Sequence, residues 1–353
     1  MTTEITLERQ AAGGDAGAQM ALARQLEAAS QTMPARGWYA RAAQSGNPAA
    51  LGALATSLLS MPPFEFENGM RFMRAAAEQG DGEALRICAA LAAQDTYLAD
   101  NWNTALGFLR RAVEQGSERA RGELALLEEG SGTVDIARWL ASPPTRVVSE
   151  SPRLLAIENF ATHATCDWLI ARARGRGFRA RVYDPVTGGA REENYRSNSA
   201  ANFDVTQWDL PMVFLRTRIA ALAGLPTHSL EHPMVLHYEV GQEFEPHYDF
   251  LDPDGPGLKK EIALKGQRVA TFLLYLNDDY EGAETEFVKL GVRHRGRKGD
   301  ALVFWNLDAE GAPDWRTKHA GRAPSSGEKW LLSQWIREDK SSFSGRGLAV
   351  HRG

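Results

Sequence analysis

The sequence predicts a multidomain α and β protein, with an N-terminal α-helical repeat array followed by a β-rich sandwich or barrel. Three observations predict it. Glycines 14, 46, 80 and 116 recur 32, 34 and 36 residues apart within Ala-rich segments, and a period of roughly 20–50 residues marks a repeat architecture. In the C-terminal part, short apolar runs follow one another with turn residues between them and no intervening helices, which favours a sandwich or barrel over a βαβ fold. At 353 residues the chain also exceeds the usual size of a single core.

The N-terminal segments align without gaps. Tyr39-Ala-Arg-Ala-Ala-Gln-Ser-Gly46, Met73-Arg-Ala-Ala-Ala-Glu-Gln-Gly80 and Leu109-Arg-Arg-Ala-Val-Glu-Gln-Gly116 share one pattern, and a degenerate fourth copy ends at Gly14. Each unit reads as a helix ending in a Gly cap, followed by a helix that opens on Asp, Asn or Ser. The alanines allow close helix packing. No residue in these units looks catalytic. Stacked hairpins form a concave surface suited to a protein or peptide.

The array is expected to end near Gly130-Ser-Gly132, with Val134–Leu140 as a last capping helix. Ala141-Ser-Pro-Pro-Thr145 reads as a junction. This gives a repeat region at 1–140, a linker at 141–152 and a second domain at 153–353. Within the second domain, Arg153–Ile157 is β-like and Thr162–Ala173 is an amphipathic helix. Residues 183–195, with Arg191, Glu192 and Glu193, suit a mobile loop of the kind that covers active sites. Asp209–Ala223 reads as a helix packed outside the barrel.

The strand Arg268–Asn277 is apolar at nearly every position, so both its faces should be covered. Ala301–Trp305 and Trp330–Ile336 are further strands. The string Phe244-Glu-Pro-His247-Tyr-Asp249 carries a His-x-Asp pair, and extended backbone points residues i and i+2 to one face. His319 offers a third ligand. Two His and one carboxylate form the facial triad of non-haem Fe(II) oxygenases. Ten residues beyond His319, past a Pro/Ser/Gly turn, Lys329 opens the next strand and places an ammonium beside that cavity. A buried ammonium needs an anionic partner, and the distal carboxylate of 2-oxoglutarate would serve. The same His/His/Asp set would suit a zinc hydrolase, which leaves Lys329 unexplained. An inert barrel on a repeat scaffold leaves both unexplained. His237 faces away from Tyr238 and reads as a packed histidine. His294, among Arg293, Arg295 and Arg297, reads as part of a solvated hairpin.

Residues 230–338 resemble the Fe(II)/2-oxoglutarate dioxygenase domain of the prolyl 4-hydroxylase type. The matching strings run in order: Glu231, Tyr238-x-x-Gly241-Gln242, His247-x-Asp249, Arg268-Val-Ala-Thr271-Phe-Leu-Leu-Tyr275-Leu-Asn277, Thr285-x-Phe287, Lys298-Gly-Asp-Ala-Leu302, His319-Ala-Gly, Gly327-x-Lys329-Trp330 and Trp335. The resemblance implies a double-stranded β-helix (jelly-roll) domain with flanking helices. It implies iron on His247, Asp249 and His319, 2-oxoglutarate on Lys329, and co-substrate contacts from Tyr238 and Thr285. It also implies O2 as oxidant, admits L-ascorbate as an additional cofactor, and suggests a prolyl or other residue of a protein or peptide as substrate. Free amino acids and small metabolites stay open. One departure is Gly282-Ala283, where the family has Gly-Gly. The N-terminal units resemble Sel1-like repeats, relatives of the tetratricopeptide hairpins, which implies a repeat solenoid able to capture a protein or peptide substrate.

Net charge is −5 with scattered basic residues, which disfavours nucleic acid as a partner. Cys88 and Cys166 are expected to remain thiols. The opening residues lack an apolar signal core and no apolar run is long enough to span a bilayer. These features lead to the expectation of a cytoplasmic protein with no membrane partner. Nothing in the sequence fixes its oligomeric state.

Overall fold

A computed structural model describes residues 2–94, 101–180, 182–183, 190–191 and 196–340. The chain divides into two compact units, residues 1–136 with 204–214, and residues 137–203 with 215–353.

The first unit is helical. Thr2–Ala12, Ala16–Ala28, Thr32–Gln44, Pro48–Ser60, Phe66–Glu78, Gly82–Ala92, Asn101–Glu114 and Glu118–Glu128 follow one another. Every helix from the first to the eighth packs on the next. Pro48–Ser60 also touches Gly82–Ala92, which touches Glu118–Glu128, so alternate helices form a layer. The recurring glycine explains the repeated turn. Gly14, Gly46, Gly80 and Gly116 have φ of 95°, 79°, 86° and 80°, a region that costs other residues roughly 1–2 kcal/mol. Asp15, Asn47, Asp81 and Ser117 then cap the following helices by accepting from the amides of Ala18, Ala49, Ala84 and Ala120. Behind each turn an alanine is fully buried, which lets neighbouring helices approach.

Residues 204–214, which lie in sequence within 153–353, complete this helical unit. Buried Arg86 pairs with buried Glu123 at 3.2 Å and donates to the carbonyls of Trp208 at 3.0 Å and Thr206 at 3.3 Å. Glu123 accepts from the Leu210 amide at 3.3 Å. Trp102 stacks on Phe214 at 3.9 Å. Breaking such a buried pair by removing one partner is costly, about 3–5 kcal/mol.

The second unit is built on antiparallel sheets. The larger runs Thr145–Ser149, Leu154–Ile157, Ala301–Trp305, Arg268–Tyr275, Lys329–Arg337, Met234–Tyr238, Ser199–Asn202 and Phe178–Arg179. The smaller runs Val292–His294, Thr285–Phe287, His319–Gly321 and Phe244–His247. Leu236, Tyr238, Leu273, Tyr275, Leu302, Phe304 and Leu331 from the first meet Phe244 and Phe287 from the second in one core. This is the expected double-stranded β-helix. The strand Arg268–Tyr275 is buried on both faces, with Leu273 and Tyr275 toward this core and Phe272 against Phe160 at 4.7 Å. The flanking helices are His163–Ala173, capped by Thr162, and Pro256–Lys265. In the stretch expected to form a loop, Val182–Tyr183 pairs with Ala190–Arg191. Its remaining residues, Glu192 and Glu193 among them, lie outside the described residues. Cys88 and Cys166 are buried free thiols. No helix among the described residues is long and apolar enough to cross a membrane.

Candidate metal and co-substrate site

The smaller sheet brings the sequence-predicted triad together. His247 ends Phe244–His247, His319 opens His319–Gly321, and the antiparallel register pairs the two directly. Asp249 lies two residues beyond His247. Its Oδ1 is 3.6 Å from His247 Nε2 and its Oδ2 is 3.5 Å from His319 Nε2. One ligand atom from each residue falls within 4.8 Å of the others.

The surroundings fix which atoms face inward. His247 Nδ1 bonds the Glu245 carbonyl at 2.8 Å, and His319 Nδ1 bonds the Thr317 carbonyl at 3.1 Å. A carbonyl only accepts, so each Nδ1 carries the proton and each Nε2 presents a lone pair, as a metal ligand must. Thr271 Oγ1 donates to Asp249 Oδ2 at 2.8 Å and accepts from Asn306 Nδ2 at 3.1 Å. Burial alone would raise the Asp249 carboxyl. His319, His247 and Arg268 outweigh that and hold it well below the usual carboxylate range. Burial, reinforced by His247, pushes His319 down to about 4, so it is neutral at neutral pH. This donor set fits a ferrous ion with open positions.

Lys329 begins its strand opposite Tyr238 and is 1% exposed. Its ammonium donates to the Ala283 carbonyl at 2.7 Å and lies 5.6 and 5.4 Å from the ring centres of Tyr238 and Tyr275. Among the described residues no carboxylate lies within 4.0 Å of it. Burial pushes it down to about 7, partly opposed by Glu284. A buried ammonium whose only hydrogen-bond acceptor among the described residues is a carbonyl fits an anionic ligand. Thr285 Oγ1 lies 2.9 Å from Tyr275 Oη. The Tyr238 hydroxyl overlies Gly321, where a Cβ would come within 3.0 Å of it. Tyr238, Thr285 and Lys329 therefore gather around Tyr275 in the core. Ala283, the departure from the family pattern, takes φ 57° and keeps the turn, with its carbonyl aimed at Lys329.

Several residues here were given no site role from the sequence. Asn277 sits where the strand Arg268–Tyr275 leaves the ladder. Its carboxamide donates to the Glu328 carbonyl and accepts from the Trp330 amide, both at 2.7 Å. It thus pins the backbone on either side of Lys329. Thr271 and Asn306 orient Asp249. The signal in sequence was the inward parity of Thr271 and Tyr275. His237, as its parity predicts, is turned away, stacked on Trp330 at 4.0 Å and bonded to Glu328 at 2.7 Å. His294 departs from expectation. Arg293 and Arg297 are solvated, but His294 Nε2 is buried.

An open cleft of about 1290 Å³ reaches the triad. His247, Asp249, Arg268, Trp315 and Trp335 are among its walls. Arg268 lies 3.4 Å above Trp335 and is paired with Glu231, which also holds Arg337.

A facial triad on a double-stranded β-helix, beside a buried lysine with no carboxylate partner among the described residues, defines a site of the non-haem iron, 2-oxoglutarate-dependent class. Residues 233–337 match the family described as the 2OG-Fe(II) oxygenase superfamily. Prolyl 4-hydroxylase 1 of Arabidopsis thaliana is 32% identical over 232 residues, covering 59% of this chain and 80% of that protein. Prolyl 4-hydroxylase 5 of the same plant is 33% identical over 246 residues, covering 64% and 77%. The viral collagen prolyl hydroxylase of Paramecium Bursaria Chlorella virus-1, solved as a 2OG complex, is 26% identical, with a TM-score of 0.41 over 53% of this chain and 96% of that one. The chain belongs to the 2OG-Fe(II) oxygenase superfamily, among the relatives of the prolyl 4-hydroxylases. It is an Fe(II)- and 2-oxoglutarate-dependent dioxygenase.

Proposed function

We propose that this dioxygenase hydroxylates a prolyl residue in a protein or peptide, with His247, Asp249 and His319 holding the iron and Lys329 holding the distal carboxylate of 2-oxoglutarate. The observation that carries the reading is the pairing of a convergent triad with a buried ammonium that has no counter-ion among the described residues. Bound iron would supply the activation of O2 that couples decarboxylation of 2-oxoglutarate to C–H hydroxylation. The chain's own residues do the rest. The Glu245 and Thr317 carbonyls hold the two imidazoles in the ligating tautomer. Thr271 keeps one Asp249 oxygen oriented. Thr285 and Tyr275 present hydroxyls, and the Tyr238 ring packs beside the Lys329 ammonium. Phe244 packs against the His247 ring, and Phe287 and Phe304 pack against that of His319.

The substrate class rests on the relatives and on the cleft. Its volume of about 1290 Å³ exceeds the roughly 300–1,000 Å³ typical of small-molecule pockets, which favours a peptide over a free amino acid. The helical unit, as a Sel1-like array, supplies a surface for a remote part of that substrate, and L-ascorbate would serve as reductant for the iron. The test is to offer cellular proteins to wild type and to His247→Ala. Prolyl peptides heavier by one oxygen with wild type only are expected. Modification restricted to free amino acids would replace the peptide reading.

A further inference from the structure

His294 occupies a position that the triad and Lys329 leave unexplained. Its strand, Val292–His294, lies at the edge of the smaller sheet and pairs antiparallel with Thr285–Phe287, with His294 directly opposite Thr285 and Val292 opposite Phe287. Side chains directly opposite on neighbouring strands share a face. Phe287 is a core residue, and Val292 packs against the same cluster, so this face is the inner one. His294 therefore projects to the side on which Thr285 meets the Tyr275 hydroxyl. Its ring lies 5.6 Å from that of Tyr275, and Tyr275 in turn lies 5.4 Å from the Lys329 ammonium. Nε2 of His294 is buried and has no hydrogen-bond partner among the described residues. A buried polar atom left without a partner costs about 1–3 kcal/mol, a cost that an anion bound beside Lys329 and Thr285 would remove by accepting from it.

We propose that His294 is a further co-substrate residue, donating from Nε2 to the distal carboxylate of 2-oxoglutarate beside Lys329 and Thr285. The proposal rests on the assignment of Lys329 to that carboxylate. A carboxylate has about four acceptor sites, so an ammonium, a hydroxyl and an imidazole N–H can converge on it. Burial and then Arg146 disfavour the charged imidazole, Asp300 partly opposes them, and Lys329 adds to the disfavour, with a net downward shift. His294 thus acts as a neutral donor that adds direction without adding a second buried charge. It is distant in sequence from the iron ligands and bonds none of them, so its loss should leave metal binding unchanged.

The test is equilibrium binding of 2-oxoglutarate to the Zn(II)-loaded full-length protein, read by calorimetry, together with imidazole NMR of wild type. His294→Val should weaken 2-oxoglutarate binding about tenfold, the loss of one hydrogen bond to a charged group, with unchanged Zn(II) affinity. His294→Gln keeps an N–H donor and should weaken it less. The imidazole resonance missing from the His294→Gln spectrum should shift in wild type when 2-oxoglutarate is added. Unchanged affinity in His294→Val, or a His294 resonance that does not move, overturns the proposal while Lys329→Ala still loses affinity. If Lys329→Ala also binds normally, the Lys329 assignment itself fails, and His294 with it.

Discussion

The two units are specified in opposite ways. In the helical unit one device recurs, a glycine at positive φ followed by a capping Asp, Asn or Ser, at residues 14–15, 46–47, 80–81 and 116–117. Each copy contributes modestly and none is unique. In the oxygenase unit each functional residue occurs once, and the strand register alone brings it to its partners. His247 meets His319 because those two residues pair across strands, and Lys329 meets Tyr238 for the same reason. Repetition makes a surface tolerant of change, whereas convergence of single residues makes a reaction centre that fails when one is lost.

The sharpest way to break that contrast is to remove a triad ligand. Asp249→Ala should abolish tight Fe(II) binding and lower 2-oxoglutarate turnover by a factor on the order of a thousand or more, since two ligands remain from three. Circular dichroism should show the fold retained. Next comes Lys329→Ala, which should raise the KM for 2-oxoglutarate roughly ten- to a hundredfold with Fe(II) affinity nearly unchanged, the loss of a charge-assisted hydrogen bond. Lys329→Arg should recover part of it. The same lysine predicts a pH dependence. Burial lowers its pKa to about 7, and the bound anion needs it protonated. Affinity for 2-oxoglutarate should therefore be greatest below about pH 7 and fall above it, by up to about tenfold per unit. Titrations at successive pH values check this, and a flat profile across that range would return Lys329 to a structural role.

A smaller effect separates positioning from packing. Asn277→Ala removes both hydrogen bonds that bracket Lys329, and the KM for 2-oxoglutarate should rise about fivefold while kcat at saturation holds. A loss of melting temperature with KM unchanged would reduce Asn277 to a packing residue. The smallest effect belongs to the repeated turn. Asp81→Ala removes a cap and should lower stability by about 1 kcal/mol, measured by urea denaturation. It should leave 2-oxoglutarate turnover as in wild type, because that unit holds none of the triad.

Much of this was legible in the sequence because its signals are local. His247 and Asp249 are two residues apart, the turn glycines and caps are adjacent, and the buried strand Arg268–Tyr275 shows its apolar run directly. What was not legible depends on which strands pair and in what register. Nothing near His294 reveals that it lies opposite Thr285 on the inner face, so its arginine neighbours pointed to solvent. Nothing near Asn277 reveals the backbone of Glu328 and Trp330, nor near Thr271 the carboxylate of Asp249. The grouping of residues 204–214 with the helices was hidden likewise. It depends on Arg86 and Glu123, separated from that segment by some of the longest sequence distances among the hydrogen bonds of the helical unit.

The most direct test of the central claim is turnover under isotopically labelled dioxygen with Fe(II) and 2-oxoglutarate present. A 2-oxoglutarate-dependent dioxygenase places one labelled oxygen atom in succinate, and the account predicts that label with wild type and Fe(II). It predicts none with Asp249→Ala or with Zn(II) in place of Fe(II). Succinate that carries no label, or activity that Zn(II) supports, would contradict it.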